Sequence, residues 1–177
     1  MIVSAAYKGH YDSIPGKVTP LSNNDILRRL RYILQLDDEK MIEIFALVQK
    51  DVSLDQIQAW LKSDDHREFV DCDDLSMACF LNGLIIDMRG PKDGPQPEPE
   101  TELTNNIVLR KLKIAFELRN EDIMTILERA NVSVTKYEVT AYFRRPDHRN
   151  FRKCQDKTLR YFLTELQKMA NEEDSNS

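Results

Sequence analysis

The sequence predicts an all-α fold made of two tandem repeats of a four- to five-helix unit, packed as a bilobed pseudo-twofold body. Three observations predict it. The chain matches itself without a gap at an offset of 82 residues, its apolar residues recur with a helical period, and strand-type alternation of useful length is absent.

The self-match begins with Leu21, Asn23, Asn24, Leu27, Arg28 and Leu30, which recur as Leu103, Asn105, Asn106, Leu109, Arg110 and Leu112. It ends with Asp65, His66, Arg67, Phe69, Cys72, Asp74, Phe80, Leu81 and Leu84, which return as Asp147, His148, Arg149, Phe151, Cys154, Asp156, Phe162, Leu163 and Leu166. Twenty identities fall between residues 21 and 84, too many for chance. The chain therefore divides into an N-terminal extension (1–20), a first repeat (21–90), a linker (91–102), a second repeat (103–170) and an acidic tail (171–177) expected to be disordered. Units of this size hold only a marginal core alone, so the repeats are expected to share buried surface.

Within each repeat the elements follow in order. The first helix carries Ile26, Leu27, Leu30, Ile33 and Leu34, or Val108, Leu109, Leu112, Ala115 and Phe116, on one face, and the Asn23-Asn24 and Asn105-Asn106 pairs read as its N-terminal caps. A second helix follows Asp37-Asp38, with Met41, Ile42, Ile44, Phe45 and Val48 inward; its copy starts near Asn120 and turns Ile123, Met124, Ile126 and Leu127 inward. Ser53-x-x-Gln56 and Thr135-x-x-Glu138 read as capping boxes that open a third helix, ahead of Ile57, Trp60, Leu61 and Val139, Tyr142, Phe143. A polar connection then carries Asp-His-Arg. The closing helix places Leu75, Phe80, Leu81, Leu84 and Met88 inward in the first copy and Leu159, Phe162, Leu163, Leu166 and Met169 in the second. Four prolines between Gly90 and Glu100 forbid a helix in the linker and favour an extended, semi-rigid path.

Composition narrows the class. With 41% hydrophobic and 31% charged residues and no apolar run near the ~20 that a membrane helix needs, the chain reads as a soluble protein that does not span a membrane. The first residues lack a signal-peptide pattern, and three cysteines, an odd number, suit reduced thiols in a cytoplasmic protein. The net charge of −5 hides an asymmetry: residues 21–90 carry 8 Lys/Arg against 14 Asp/Glu, and residues 103–170 carry 14 against 8. Either the acidic unit docks on the basic one, within a chain or between chains, or the second unit meets a polyanion.

Candidate chemistry centres on the repeated Asp65-His66-Arg67 and Asp147-His148-Arg149, with Arg28 and Arg110 as partners for that segment or for an anion. Two His and two Cys would make a tetrahedral zinc set if a twofold axis joined the copies, but paired ligands of Cys-x-x-Cys type are missing, and no metal site is expected. The alternative reading has Asp cap the turn, Phe69 and Phe151 plug the core, and Cys72 and Cys154 pack as small apolar residues. Carboxylate pairs such as Asp73/Asp74 stand at helix starts and read as caps. No glycine-rich phosphate cradle, nucleophile elbow or His-Glu-x-x-His helix occurs, so neither enzymatic chemistry nor a cofactor is expected. A nucleic-acid reading rests on the second repeat, where helices two and three outline a helix-turn-helix. Thr135, Lys136 and Tyr137, with Thr140, would face bases, and Arg144, Arg145, Arg149, Arg152, Lys153 and Arg160 would meet phosphates, with Tyr142 and Tyr161 interleaved.

The segments Leu21-Ser22-Asn23-Asn24-Asp25-Ile26-Leu27-Arg28, Phe80-Leu81-Asn82-Gly83-Leu84-Ile85, Asn105-Asn106-Ile107-Val108-Leu109-Arg110-Lys111-Leu112 and Pro146-Asp147-His148-Arg149-Asn150-Phe151, with Leu159-Arg160-Tyr161-Phe162-Leu163, closely resemble the bacterial YehS family. The resemblance covers about residues 21–169. It implies a short cytoplasmic protein with two copies of a helical domain of unknown function, and it supplies no activity or catalytic residue. Members begin near Leu21, so residues 1–20 depart from the pattern. The function expected is a non-enzymatic helical binding or regulatory module that meets an unknown protein, or another copy of itself, through the groove between repeats near the two Asp-His-Arg segments.

Overall fold

The protein's structure, a computed structural model, describes residues 20–175, with side chains to residue 172. The predicted extension therefore falls, except for Pro20, outside the described residues, as do residues 176–177. Among the described residues eight helices follow one another: α1 (Asn23–Ile33), α2 (Asp38–Ala46), α3 (Leu54–Leu61), α4 (Asp74–Arg89), α5 (Asn105–Ala115), α6 (Asn120–Arg129), α7 (Lys136–Tyr142) and α8 (Asp156–Ser175). Among the described residues there is no strand. The fold is all-α in two tandem four-helix repeats.

The helix ends repeat as well as the helices. Thr135 forms the full reciprocal box with Glu138, as its spacing predicts; Ser53 caps α3 by accepting from the Gln56 amide, but the reciprocal bond of a box is not formed there. Gln35 and Glu117 occupy equivalent left-handed positions after α1 and α5, and the next residues' amides, of Leu36 and Leu118, reach back to the carbonyls of Arg31 and Lys113, both at 2.9 Å. Gln49 and Asn131 repeat the same stop after α2 and α6. This is the usual glycine-type helix stop, built here from side-chain-bearing residues in both copies.

The asparagine pairs do not cap. Ser22 and Thr104 are the N-caps of α1 and α5, and the asparagines occupy the first helical turn with their side chains aimed away from it. Buried Asn24 donates to the carbonyls of Trp60 and Val70, both at 2.9 Å, and accepts from the Cys72 amide at 2.9 Å. Asn106 repeats the arrangement with Tyr142, Arg152 and Cys154. An asparagine amide offers two donors and an acceptor, which is what a chain leaving one helix and approaching another leaves unpaired. The identity of these residues in both copies reflects this shared tie between the first helix, the end of the third and the approach to the fourth.

The repeats embrace by exchange. α1 packs on α8 of the other repeat, and α5 packs on α4, while α2–α4 and α6–α8 pair within each repeat. Each closing helix is thus held between a helix of its own unit and one of the other. The hydrogen bonds obey the same exchange: Asp74 accepts from Asn23 at 2.8 Å and from the Leu103 amide at 2.8 Å, whereas Asp156 accepts from Asn105 at 2.6 Å and from the Leu21 amide at 3.2 Å. Reciprocal contacts of this kind are the signature of a twofold interface. Asp73 is the N-cap of α4, as predicted for the acidic pairs, but Asp74 ties the two repeats together.

This packing corrects several sequence expectations. A run from Ser76 to Leu84 is continuously buried, because α4 lies between α2 and α5, so a single apolar stripe does not describe it. Leu75 and Met88, predicted inward, lie at the protruding ends and are exposed. The tail expected to be disordered from Asn171 instead continues α8 to Ser175. Asn171 accepts from the Tyr32 hydroxyl at 3.1 Å, and one guanidinium nitrogen of Arg129, Nη2, donates to both carboxylate oxygens of Glu172 at 2.8 Å, which anchors that turn. One continuous hydrophobic core runs through both repeats, from Leu27 and Phe80 to Leu109 and Phe162.

Candidate functional site

The sequence-predicted residues do not converge. Asp65, His66, Arg67, Asp147, His148 and Arg149 are exposed on the two polar connections. The bonds of each histidine stay in its own turn: His66 Nδ1 accepts from the Glu68 amide at 3.1 Å, and His148 Nδ1 from the Asn150 amide at 3.0 Å. A hydrogen bond from Ser63 holds the Asp65 carboxyl below its usual range. Cys72 and Cys154 lie inside the fold, where burial pushes both thiols up to about 12. The histidines face solvent and the cysteines face the core. Among the described residues no group of three or more His, Cys, Asp or Glu is placed to hold a metal ion. Phe69 and Phe151, predicted as core plugs, are only half-buried and are not part of the core.

Arg28 and Arg110 part company. Arg28, predicted on the polar side of its helix, is buried; it pairs with Asp25 at 2.8 Å and Asp64 at 3.0 Å and donates to the Lys62 carbonyl at 2.6 Å. Arg110 is exposed and donates to the Phe143 carbonyl at 2.9 Å. The cause is local, since Ile107 and Pro146 stand where the first repeat has Asp25 and Asp64.

The helix-turn-helix residues are interleaved with acids. Lys136 pairs with Glu121 at 2.8 Å, Arg145 with Asp147 at 3.6 Å, and Arg152 with Glu138. Thr135 is committed to its capping box; its backbone amide and hydroxyl, together with Arg152, hold the Glu138 carboxyl below its usual range. Tyr142 is buried, and Arg144 stacks over the Tyr137 ring at 5.2 Å. Lys153 and Arg149 are exposed.

The concavity between the repeats lies elsewhere. A groove of about 420 Å³ is lined by α1 and α8, through Asp25, Arg28, Arg29, Tyr32, Arg160, Tyr161, Thr164, Gln167, Lys168 and Asn171. Of the residues predicted for the inter-repeat surface Arg28 alone lines it, joined by Arg160 and Tyr161 of the nucleic-acid reading; the Asp-His-Arg segments lie outside, because the exchange of first helices places the junction between α1 and α8. Among the described residues its lining carries Arg28, Arg29, Arg160 and Lys168 beside Asp25; Arg28 is paired with Asp25 and Asp64, and Lys168 with Glu165. Buried Arg29 is part of the lining and donates to Thr164 at 3.1 Å.

Sequence reasoning passed over Arg29, and a signal for it exists. Arg29 and Lys111 are equivalent cations at offset 82, and Asn82 and Thr164 are equivalent polar residues within the apolar closing helices. In the structure Arg29 meets Thr164, and Lys111 meets Asn82. A polar pair retained in both copies at buried positions requires a partner, since burial of an unpaired polar group is costly.

Residues 23–90 and 105–170 each match the family described as "Protein of unknown function (DUF1456)". The chain is 46% identical over 145 residues to "Uncharacterized protein YehS" of Escherichia coli (strain K12), an overlap covering 81% of this chain and 93% of that protein. No solved structure matches. No described helix is long and apolar enough to cross a membrane. The chain therefore belongs to the DUF1456 family and carries its domain twice, in the reciprocal arrangement that the paired asparagines and aspartates hold together.

Proposed function

We propose that this protein is a non-enzymatic helical binding module of the cytoplasm, with the α1–α8 groove between the repeats as its contact surface. The observation that carries this reading is the groove's place and charge: both repeats line it, and it gathers Arg28, Arg29, Arg160 and Lys168 around two tyrosines. The absence of catalytic chemistry is argued from the groups themselves. The Cys72 and Cys154 thiols, raised to about 12, are not nucleophiles near neutral pH, and His66 and His148 each use Nδ1 to close their own turn.

The competing reading is nucleic-acid binding by the second repeat. Exposed Tyr137 and Lys136 in the first turn of α7 favour it; the carboxylates paired with Lys136, Arg145 and Arg152 weigh against it. Amide NMR titration of the full chain separates the two, using pools of acidic, basic and apolar peptides and, separately, duplex DNA and RNA. The groove reading expects one peptide pool to shift amides near residues 28–32 and 160–171. Shifts confined to 135–153 with nucleic acid, weakening steeply with salt, would replace it.

A further inference from the structure

The same place in the two repeats carries opposite charge. In the first repeat a hollow of about 400 Å³ opens where α3 and α4 begin, and among the described residues Asp51, Asp71 and Asp73 line it against the single cation of Lys50. Asp73 is committed as the cap of α4, but Asp51 and Asp71 are exposed and make no ion pair among the described residues. Val70 also lines the hollow and is exposed, as are Leu54 and Leu75 in the first turns of the two helices. Trp60 completes the wall. It is only 4% exposed, and its indole N–H, a donor without acceptor capacity, makes no hydrogen bond among the described residues.

Under the 82-residue offset Asp51, Asp71 and Asp73 correspond to Ser133, Lys153 and Gln155, and Val70 to Arg152. Arg152 bonds Glu138, the counterpart of Gln56, so in the second repeat two of the positions that line the hollow bridge each other. Lys153, next to that bridge, is exposed and makes no ion pair among the described residues. Tyr137 is 57% exposed on the same repeat, with Arg144 stacked over its ring at 5.2 Å.

We infer that these two surfaces meet between copies of the chain, the Tyr137–Lys153 surface of one copy docking on the Trp60 hollow of the next. Lys153 then faces Asp51 and Asp71, and the phenol of Tyr137 offers its oxygen to the Trp60 indole N–H. Opposite charges left without partners inside the chain steer the acidic face of one copy to the basic face of another and set against each other two faces of like sign. A tyrosine suits such a seat, because its ring packs on apolar side chains such as Leu54 and Val70 while its hydroxyl pairs with a polar group. The contact uses neither α1 nor α8 and stands apart from the groove reading.

Sedimentation equilibrium of the full chain across protein concentrations is expected to show self-association that weakens as salt rises. The emission of Trp60, the one tryptophan of the chain, should shift over the same concentration range, which a contact elsewhere would not cause. Asp71→Lys and Lys153→Asp are each expected to weaken association by about 10-fold or more, with Asp51→Lys as a second variant of the acidic side. Mixed in equal amounts, or combined in one chain, Asp71→Lys and Lys153→Asp should recover it. Asp93→Lys in the linker changes the net charge as much as Asp71→Lys and should leave association as it is. The altered side chains are exposed, and circular dichroism checks that the variants fold. A chain that stays monomeric at every concentration would overturn the inference. So would association that the charge reversals leave unchanged, that the mixture fails to recover, or that leaves Trp60 emission unmoved. Monomeric protein that binds duplex DNA or RNA, and loses it on Lys153→Asp, would overturn it in favour of the nucleic-acid reading.

Discussion

At the α4–α5 junction the amine of Lys111 holds Glu100 of the linker, whereas at the α1–α8 junction Arg29 donates to Thr164 beside a groove lined by Tyr32 and Tyr161. The repeats themselves diverge in a similar way. The first repeat packs Phe45 against Trp60 at 5.6 Å and Phe80 at 5.5 Å, and seats glycine at position 83, where an added Cβ would lie 2.0 Å from the Ile44 carbonyl oxygen. The second repeat has Leu127 in place of Phe45. It carries buried Glu165 in place of the glycine, paired with Lys168 at 2.6 Å and Arg129 at 3.8 Å. The backbone ties are kept in both copies, while the packing and the surface have been free to change.

The comparison can be broken most forcefully at the ties. Asn24→Ala and Asn106→Ala each strand three backbone groups, and each is expected to cost about 3 kcal/mol or more in urea unfolding. Similar losses would show that the tie has equal weight in the two copies; a loss in one alone would show that the copies have divergent scaffolds. Gly83→Ala should cost about 1–3 kcal/mol, because the contact is with backbone and helix α2 must move. Glu165→Ala, at the matching position, should cost less than Gly83→Ala.

Smaller effects sharpen the picture. Asp74→Ala and Asp156→Ala each remove two accepted bonds, one within the repeat and one across the junction, and each is expected to lower stability by about 1–2 kcal/mol. Matching values would support the pseudo-twofold reading. Lys111→Met should free the linker, seen as faster amide exchange over residues 96–102, with about 1 kcal/mol lost. At the small end, Gln35→Gly and Glu117→Gly relieve left-handed strain and should raise stability by roughly 0.5 kcal/mol each.

Much of this was legible in the residues. The 82-residue offset, the capping boxes of Ser53 and Thr135 and the apolar periods locate the helices, because those signals are local. Asn23, Asn24, Asp74 and their copies were visible as repeated identities, yet their role was not: an asparagine beside a helix start looks the same whether it caps that helix or ties a segment 48 residues away. The Asp-His-Arg segments drew attention through chemistry-bearing side chains, but those side chains point to solvent and close their own turns. The groove residues of α1 and α8 are 135 positions apart where Arg29 meets Thr164, and nothing local joins them.

What the sequence alone determined was the repeat, the helical class and the approximate place of each helix, since all of these follow from spacing and from bonds within a few residues. Only the tertiary structure decided that each first helix crosses to the closing helix of the other repeat. That crossing makes Asp74 and Asp156 bridges between units, buries Arg29 and Lys111, and places the groove between α1 and α8. The physical reason is that a first helix's apolar face can be covered by either closing helix, and the choice rests on the summed packing of both repeats, which a linear pattern does not encode.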